Sequence, residues 1–215
     1  MIARLEAIDA SLPTADGVAW FNKLYLAVTQ AVHGELAETT FADPRFLARL
    51  DVVFANLYLR AVAAPKDPPR AWAPLFACRR RKDIAPIQFA FAGMNAHINY
   101  DLPVALVRTC RDLDVDLLRA RRQHRDYLTV NTLLETTEKR VKRWFSTGFV
   151  GTVDTALGRA DDRVAMWKVT RARDTAWVNA QTLSALHSPP LRTRYLAALE
   201  RTVGFAGRGL LVPLR

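Results

Sequence analysis

Phe89–Val107, FAFAGMNAHINYDLPVALV, decides the fold. The stretch is apolar, rich in small residues and free of strand-like alternation, so it reads as a helix buried on all sides. Ala92, Gly93 and Ala96 let neighbouring helices approach closely. On a wheel of about 100° per residue, Gln88, Ala92, Asn95 and Asn99 share one side. Ala90, Met94, His97 and Asp101 share the other. Inside a core each of these polar groups must find a partner or become costly. Pro103 lies in the same stretch. It kinks the helix near Asn99 or divides it in two, and a freed carbonyl there adds one more polar group beside His97 and Asp101.

Helical spacing continues on both sides. Trp20, Leu24, Val28, Val32 and Leu36 recur at three- and four-residue steps, with Asp16 as the N-cap. Phe46, Leu50, Val53, Phe54, Leu57 and Ala61 follow Asp43-Pro44, a cap and a first-turn proline. Pro65 to Pro69 breaks that helix, and Ala71–Cys78 is a short amphipathic piece. Further helices are expected over Arg119–Phe145, Asp161–His187 and Leu191–Leu214, with a loop or short helix over Ser146–Ala160 and Ser188-Pro189-Pro190 as a break. No strand pattern, repeat or low-complexity segment appears. The expected fold is all-α: one domain over residues 1–215, a compact bundle of roughly six to eight helices with short connections.

Composition narrows the function classes. Half of the 215 residues are apolar, which excludes a disordered chain. No apolar run reaches the length of a membrane span, and the start, MIARLEAIDASLP, lacks a secretory signal pattern. The two cysteines, Cys78 and Cys110, make neither a disulfide framework nor a zinc site alone, so free thiols in the cytoplasm are expected. Net charge is +10, concentrated in Arg79–Lys82, Arg119–Arg125 and Lys139–Arg143. That excess could meet phosphate or anionic lipid. A solvated face is the preferred reading, because no nucleic-acid motif accompanies the charge.

The candidate site centres on His97 and Asp101, at i, i+4 spacing. A carboxylate can orient an imidazole and raise its basicity, giving a general base. The pair can equally supply two metal ligands, with His124 as a third, or simply satisfy each other in a core. Asn95, Asn99, Asn131, Trp167, Arg173, Trp177 and Asn179 are the expected substrate-binding residues. Arg173 beside two tryptophans reads as an anion clamp with cation–π support, against a structural salt bridge from Arg173 to Asp101 or from Arg171 to Asp174. His124 could instead be exposed in its basic run. Asn22 and Asn56 are polar residues within apolar runs, and His33 and His187 read as structural or exposed. The chain has no Walker loop, GxGxxG, GxSxG, HExxH or paired ExxH motif, so no standard organic cofactor is expected and a metal stays open.

FANLYLRAV, IAPIQFAFAGMNAHINYDLPVALV, VAMWKVTRARDTAWVNA and TVGFAGRGLLVP together resemble a family of all-helical actinobacterial proteins carried as a domain of unknown function. The resemblance runs over nearly the whole chain, and MNAHINYDLP is its most specific part. It implies host range and an all-helical fold, and no reaction. The polar positions it points to are His97, Asn99, Asp101, Asn131, Arg173, Trp177 and Asn179.

The expected function is a small-molecule enzyme of bacterial specialised metabolism, with proton-transfer chemistry such as cyclisation, isomerisation, elimination or hydrolysis. Two other classes compete with it: a non-catalytic helical module for an acidic partner, and a metal-dependent enzyme. The catalytic reading requires the His97–Asp101 pair to border a cavity.

Overall fold

The computed structural model describes residues 1–36, 41–148 and 169–214; at 35–36 and 135–148 it describes the backbone alone. Among the described residues every regular element is helical. In chain order these are α1 (Ile2–Ser11), α2 (Gly17–Leu36), α3 (Pro44–Ala63), α4 (Ala73–Cys78), α5 (Pro86–Ala96), a π turn (His97–Asp101), α6 (Leu102–Asp112), α7 (Arg121–Gly148), α8 (Val169–Ala185) and α9 (Pro189–Leu210). The protein is all-α.

Local chemistry sets the helix starts. The Asp43 carboxylate accepts the Phe46 N–H at 3.0 Å, and Pro44 opens α3 with φ already near its helical value. Asp16 accepts the Val18 N–H at 2.9 Å and also holds Arg79 at 2.8 Å, so one carboxylate caps α2 and ties it to the end of α4. Pro189 and Pro190 form the first turn of α9 and do not lie outside it, because a proline there gives up no helical hydrogen bond. At its other end the last helix stops four residues earlier than expected, at Leu210. Asp161 to Lys168 and the stretch 149–160 lie outside the described residues.

Two cores share the central helix. The first gathers Leu5, Phe21, Tyr58, Trp72, Leu75, Phe89, Ala92 and Val203, from α1 to α5 and α9. The second gathers Phe46, Leu50, Leu102, Leu106, Tyr127, Ala176 and Trp177, from α3, α6, α7 and α8. Each fully buried large apolar side chain among these stabilises the fold by about 1.5–3 kcal/mol relative to exposure. Gly93 lets the Phe21 ring lie directly on the α5 backbone, where any Cβ would collide with it. Gly204 does the same for the Arg70 carbonyl against α9.

The π turn joins the two halves. Pro103 neither breaks nor separates the helix: backbone angles stay helical through Leu102, at φ −64° and ψ −45°. The winding widens instead. Pro103 has no N–H to offer the Asn99 carbonyl, and the Leu102 N–H reaches back five residues to the His97 carbonyl.

Candidate functional site

His97 and Asp101 bracket the π turn and face each other. His97 Nδ1 lies 3.0 Å from Asp101 Oδ2, and both residues are 2% exposed. The same oxygen accepts the Trp72 indole N–H at 3.0 Å. An ionised carboxylate can only accept, so with Asp101 ionised Nδ1 carries the ring proton and donates it. Nε2 is then a bare lone pair. It is buried and has no hydrogen-bond partner among the described residues.

Five aromatic rings surround the His97 imidazole. Phe54 stacks on His97 with ring centres 3.6 Å apart, and Tyr25 meets it edge-on at 4.8 Å. Phe21, Tyr58 and Trp72 stand within 6.0 Å. The rings come from α2 (Phe21, Tyr25), α3 (Phe54, Tyr58) and the residue ahead of α4 (Trp72). Asn22 supports the wall: it donates to the Leu5 carbonyl at 2.9 Å and accepts the Tyr58 hydroxyl at 3.2 Å.

Burial governs the charges here. It pushes the His97 imidazole below its ordinary value of 6.5, against the opposing pull of Asp101. It pushes the Asp101 carboxyl above its ordinary value, against His97, Trp72 and Arg108. The Tyr25 phenol is raised as well, first by burial and then by the negative charge of Asp51. A neutral imidazole with its outer nitrogen unpartnered is the resulting state.

The other expected residues fall into two further groups. Asn95, Asn99 and Gln88 form a seam to α9 on the far side of the central helix. Asn95 donates to the Val203 carbonyl at 2.9 Å and accepts from Asn99 at 3.1 Å. Gln88 donates to the Leu210 and Val212 carbonyls, which docks the C-terminal tail. Asn95 is thus an anchor between helices, braced by Asn99 from its own helix, on the side opposite His97. Asn179 is another: it accepts the Tyr195 hydroxyl at 2.8 Å and joins α8 to α9.

Asn131, Arg173, Trp177 and His124 assemble between α7 and α8. Arg173 Nε donates to Asn131 Oδ1, and Asn131 donates in turn to Asp174 at 3.2 Å. The Arg173 guanidinium lies 4.2 Å from the Tyr127 ring centre, and the Tyr127 hydroxyl donates to the Arg173 carbonyl. Burial pushes that phenol up to about 12. His124 stacks on Trp177 at 4.5 Å. Neither expected salt bridge organises this cluster, since Arg173 is taken by an amide and a ring. Asp174 meets Asn131. Trp167 lies outside the described residues.

The structure therefore does not bring the expected set into one pocket. His124 sits with Tyr127 and Trp177, while the rings around His97 come from α2, α3 and the start of α4, so the ligand set His97, Asp101 and His124 does not assemble. Among the described residues no group of three histidine, cysteine, aspartate or glutamate side chains is placed to hold a metal. Nor is the pair open. A cleft of about 500 Å³ on the described surface is lined by Val53, next to Phe54, and reaches neither His97 nor Asp101. The enclosing aromatics were missed in the sequence, although Phe21/Tyr25 and Phe54/Tyr58 both carry the four-residue spacing that puts two rings on one helix face.

Taken together, the molecule is an all-helical protein built around an enclosed histidine–carboxylate pair. It belongs to the family described as a family of unknown function, DUF5995, which matches residues 1–213. No curated protein and no solved structure matches the chain. No helix among the described residues is long and apolar enough to cross a membrane.

Proposed function

We propose that the protein is a small-molecule enzyme in which His97 transfers a proton through Nε2 while Asp101 holds the ring. The observation that carries this reading is the unpartnered, buried Nε2 of an imidazole whose Nδ1 is fixed by a carboxylate. Buried polar groups in a packed core are as a rule paired, so a bare imidazole nitrogen stands out, together with Thr109 Oγ1 and Asp9 Oδ1. The π turn that sets the pair adds support, since such turns concentrate at working sites.

The chemistry follows from the charges. Nε2 accepts a proton from a C–H or O–H of the substrate, and the imidazolium so formed is stabilised by Asp101 one bond away. The proton then returns to another atom of the same molecule, as in isomerisation or cyclisation, or is delivered to the departing group, as in elimination. The aromatic walls favour a largely apolar substrate. The pair borders no cavity among the described residues, so this reading requires Phe54, the half-buried ring stacked on His97, to swing aside and open one at Nε2. No organic cofactor is required for these reactions.

The enclosure of the pair favours a second reading, in which His97 and Asp101 lock two cores together and the chain is a non-catalytic binding module. One experiment separates the two. Wild-type protein and His97→Gln are incubated with a bacterial metabolite extract, and both mixtures are compared by mass spectrometry. Compounds converted by wild type alone support the enzyme. Identical mixtures, with both proteins folded, support the module.

A further inference from the structure

The cleft beside Phe54 has its own chemistry. Arg49, Val53, Asn56 and Arg60 recur at four-, three- and four-residue steps and form one stripe of α3. Arg108, Arg111 and Asp112 of α6 form the facing wall. Four guanidinium groups thus line one space of about 500 Å³ with a single carboxylate, a surplus of three positive charges. None of the three basic runs visible in the sequence contributes to it.

The arginines differ in how they are engaged. Asp112 is taken by Arg49, through Nε at 3.1 Å and Nη2 at 2.5 Å, and Arg111 stands 3.9 Å from its other oxygen. Arg60 and Arg108 have no hydrogen-bond acceptor and no ion pair among the described residues. They stand on opposite walls, and Arg108 is half-buried, so water screens it less than an exposed charge. Asn56 adds an amide on the same wall as Arg60, which receives only a long 3.5 Å contact from Arg4.

We infer that this α3/α6 cleft is a binding site for a small molecule carrying phosphoryl groups, gripped by Arg60 and Arg108 from opposite sides. Guanidinium is the side chain best matched to phosphate, through two parallel N–H donors. A phosphomonoester carries about −1.5 to −2 charge, which leaves part of the surplus unbalanced. A diphosphate, with more negative charge, comes closer to neutralising the cleft. The volume is that of a small-molecule site. The inference is independent of His97.

Calorimetric titration of the full chain with inorganic pyrophosphate, glycerol phosphate and citrate tests it. Saturable one-to-one binding is expected, tightest for pyrophosphate. The double variant Arg60→Ala/Arg108→Ala should bind about tenfold more weakly or worse, since two charge-assisted contacts are lost. Arg192→Ala/Arg194→Ala, with the same change of charge on an exposed turn of α9, should bind as wild type. A second measurement needs no variant: pyrophosphate should protect Arg60 and Arg108 of wild type from phenylglyoxal, mapped by mass spectrometry, and leave Arg192 reactive. Equal weakening in both double variants, citrate binding as tightly as pyrophosphate, or no selective protection would each overturn the assignment.

Discussion

The Phe54 ring lies almost parallel to that of His97, 3.6 Å away with 7° between the planes. Of the five rings around His97, Phe54 and Tyr25 are half-buried, and Phe54 is the one stacked on its face. A substrate route to Nε2 and the stability of the aromatic box therefore depend on the same side chain.

Phe54→Ala should uncover His97. Diethyl pyrocarbonate acylates an unprotonated imidazole that it can reach, so His97 should be unreactive in wild type and modified in the variant, as read by peptide mass spectrometry. The cost in stability should be at or below ~3 kcal/mol, the lower end for a buried phenylalanine, because Phe54 is only half-buried. His97 reacting equally in both proteins would show that Phe54 is not its cover.

Asp101→Asn should disturb the pair without unfolding the bundle. The amide oxygen can still accept both N–H groups, as Asp101 Oδ2 does, but it does so without the negative charge. A loss of about 1.5–3 kcal/mol is expected in denaturant unfolding, the scale of a hydrogen bond to a charged group. Any turnover found for wild type should fall away while the helical circular-dichroism signal stays. Wild-type stability and turnover in this variant would remove Asp101 from its orienting role.

The ionisation of His97 gives a signed pH test. Burial lowers its affinity for a proton, so the folded ring should stay neutral as pH falls through 6.5, whereas the same residue in the unfolded chain charges there. The unfolded state then binds the extra proton. The His97 contribution to stability is complete above 6.5 and is lost as pH falls from 6.5 toward the lowered folded value. Asp101 works in the opposite sense: its raised carboxyl contributes stability at low pH that fades as pH rises through its folded value. Nitrogen NMR should find His97 mainly neutral, protonated at Nδ1, at pH 6.5, where an ordinary histidine is half cationic. A cationic ring at that pH would contradict the assignment.

The Arg173 cluster should behave as structure. Asn131→Ala leaves the buried Arg173 Nε without its acceptor and should cost about 1–3 kcal/mol. The reactivity of His97 toward diethyl pyrocarbonate in the Phe54→Ala background should not change. A change there would couple the two clusters.

Gly93→Ala should strain the box from behind, because the new methyl falls inside the Phe21 ring. Overpacking of this kind costs about 1–3 kcal/mol. Melting temperature reports it, and an unchanged value would mean that Phe21 can shift freely.

Much of this was legible in the sequence, for identifiable reasons. The α3 start was readable because a cap and a first-turn proline are local signals, and Asp43 does bond Phe46. The two sides of the central helix were readable because its wheel is regular up to residue 96: one side meets α9 through Asn95 and Gln88, and the other meets aromatic rings. The π turn was not readable. A proline in a helix predicts a fault, and only the surrounding cores decide whether it becomes a kink, a break or a wider turn. The grouping of the polar residues also escaped, since equal spacing on separate helices says nothing about which helices touch. The cleft arginines escaped for a further reason: Arg49, Arg60, Arg108 and Arg111 are scattered, and scattered charge leaves no local signature.

The widened turn at His97–Asp101 amounts to one surplus residue spliced into a continuous rod. Deleting it would restore ordinary winding but rotate everything downstream by about 100°, turning Asp101 off its histidine and α6 out of its seat in the second core. The irregularity and the pair are thus geared to each other: the chain cannot lose one as a defect and keep the other as a feature.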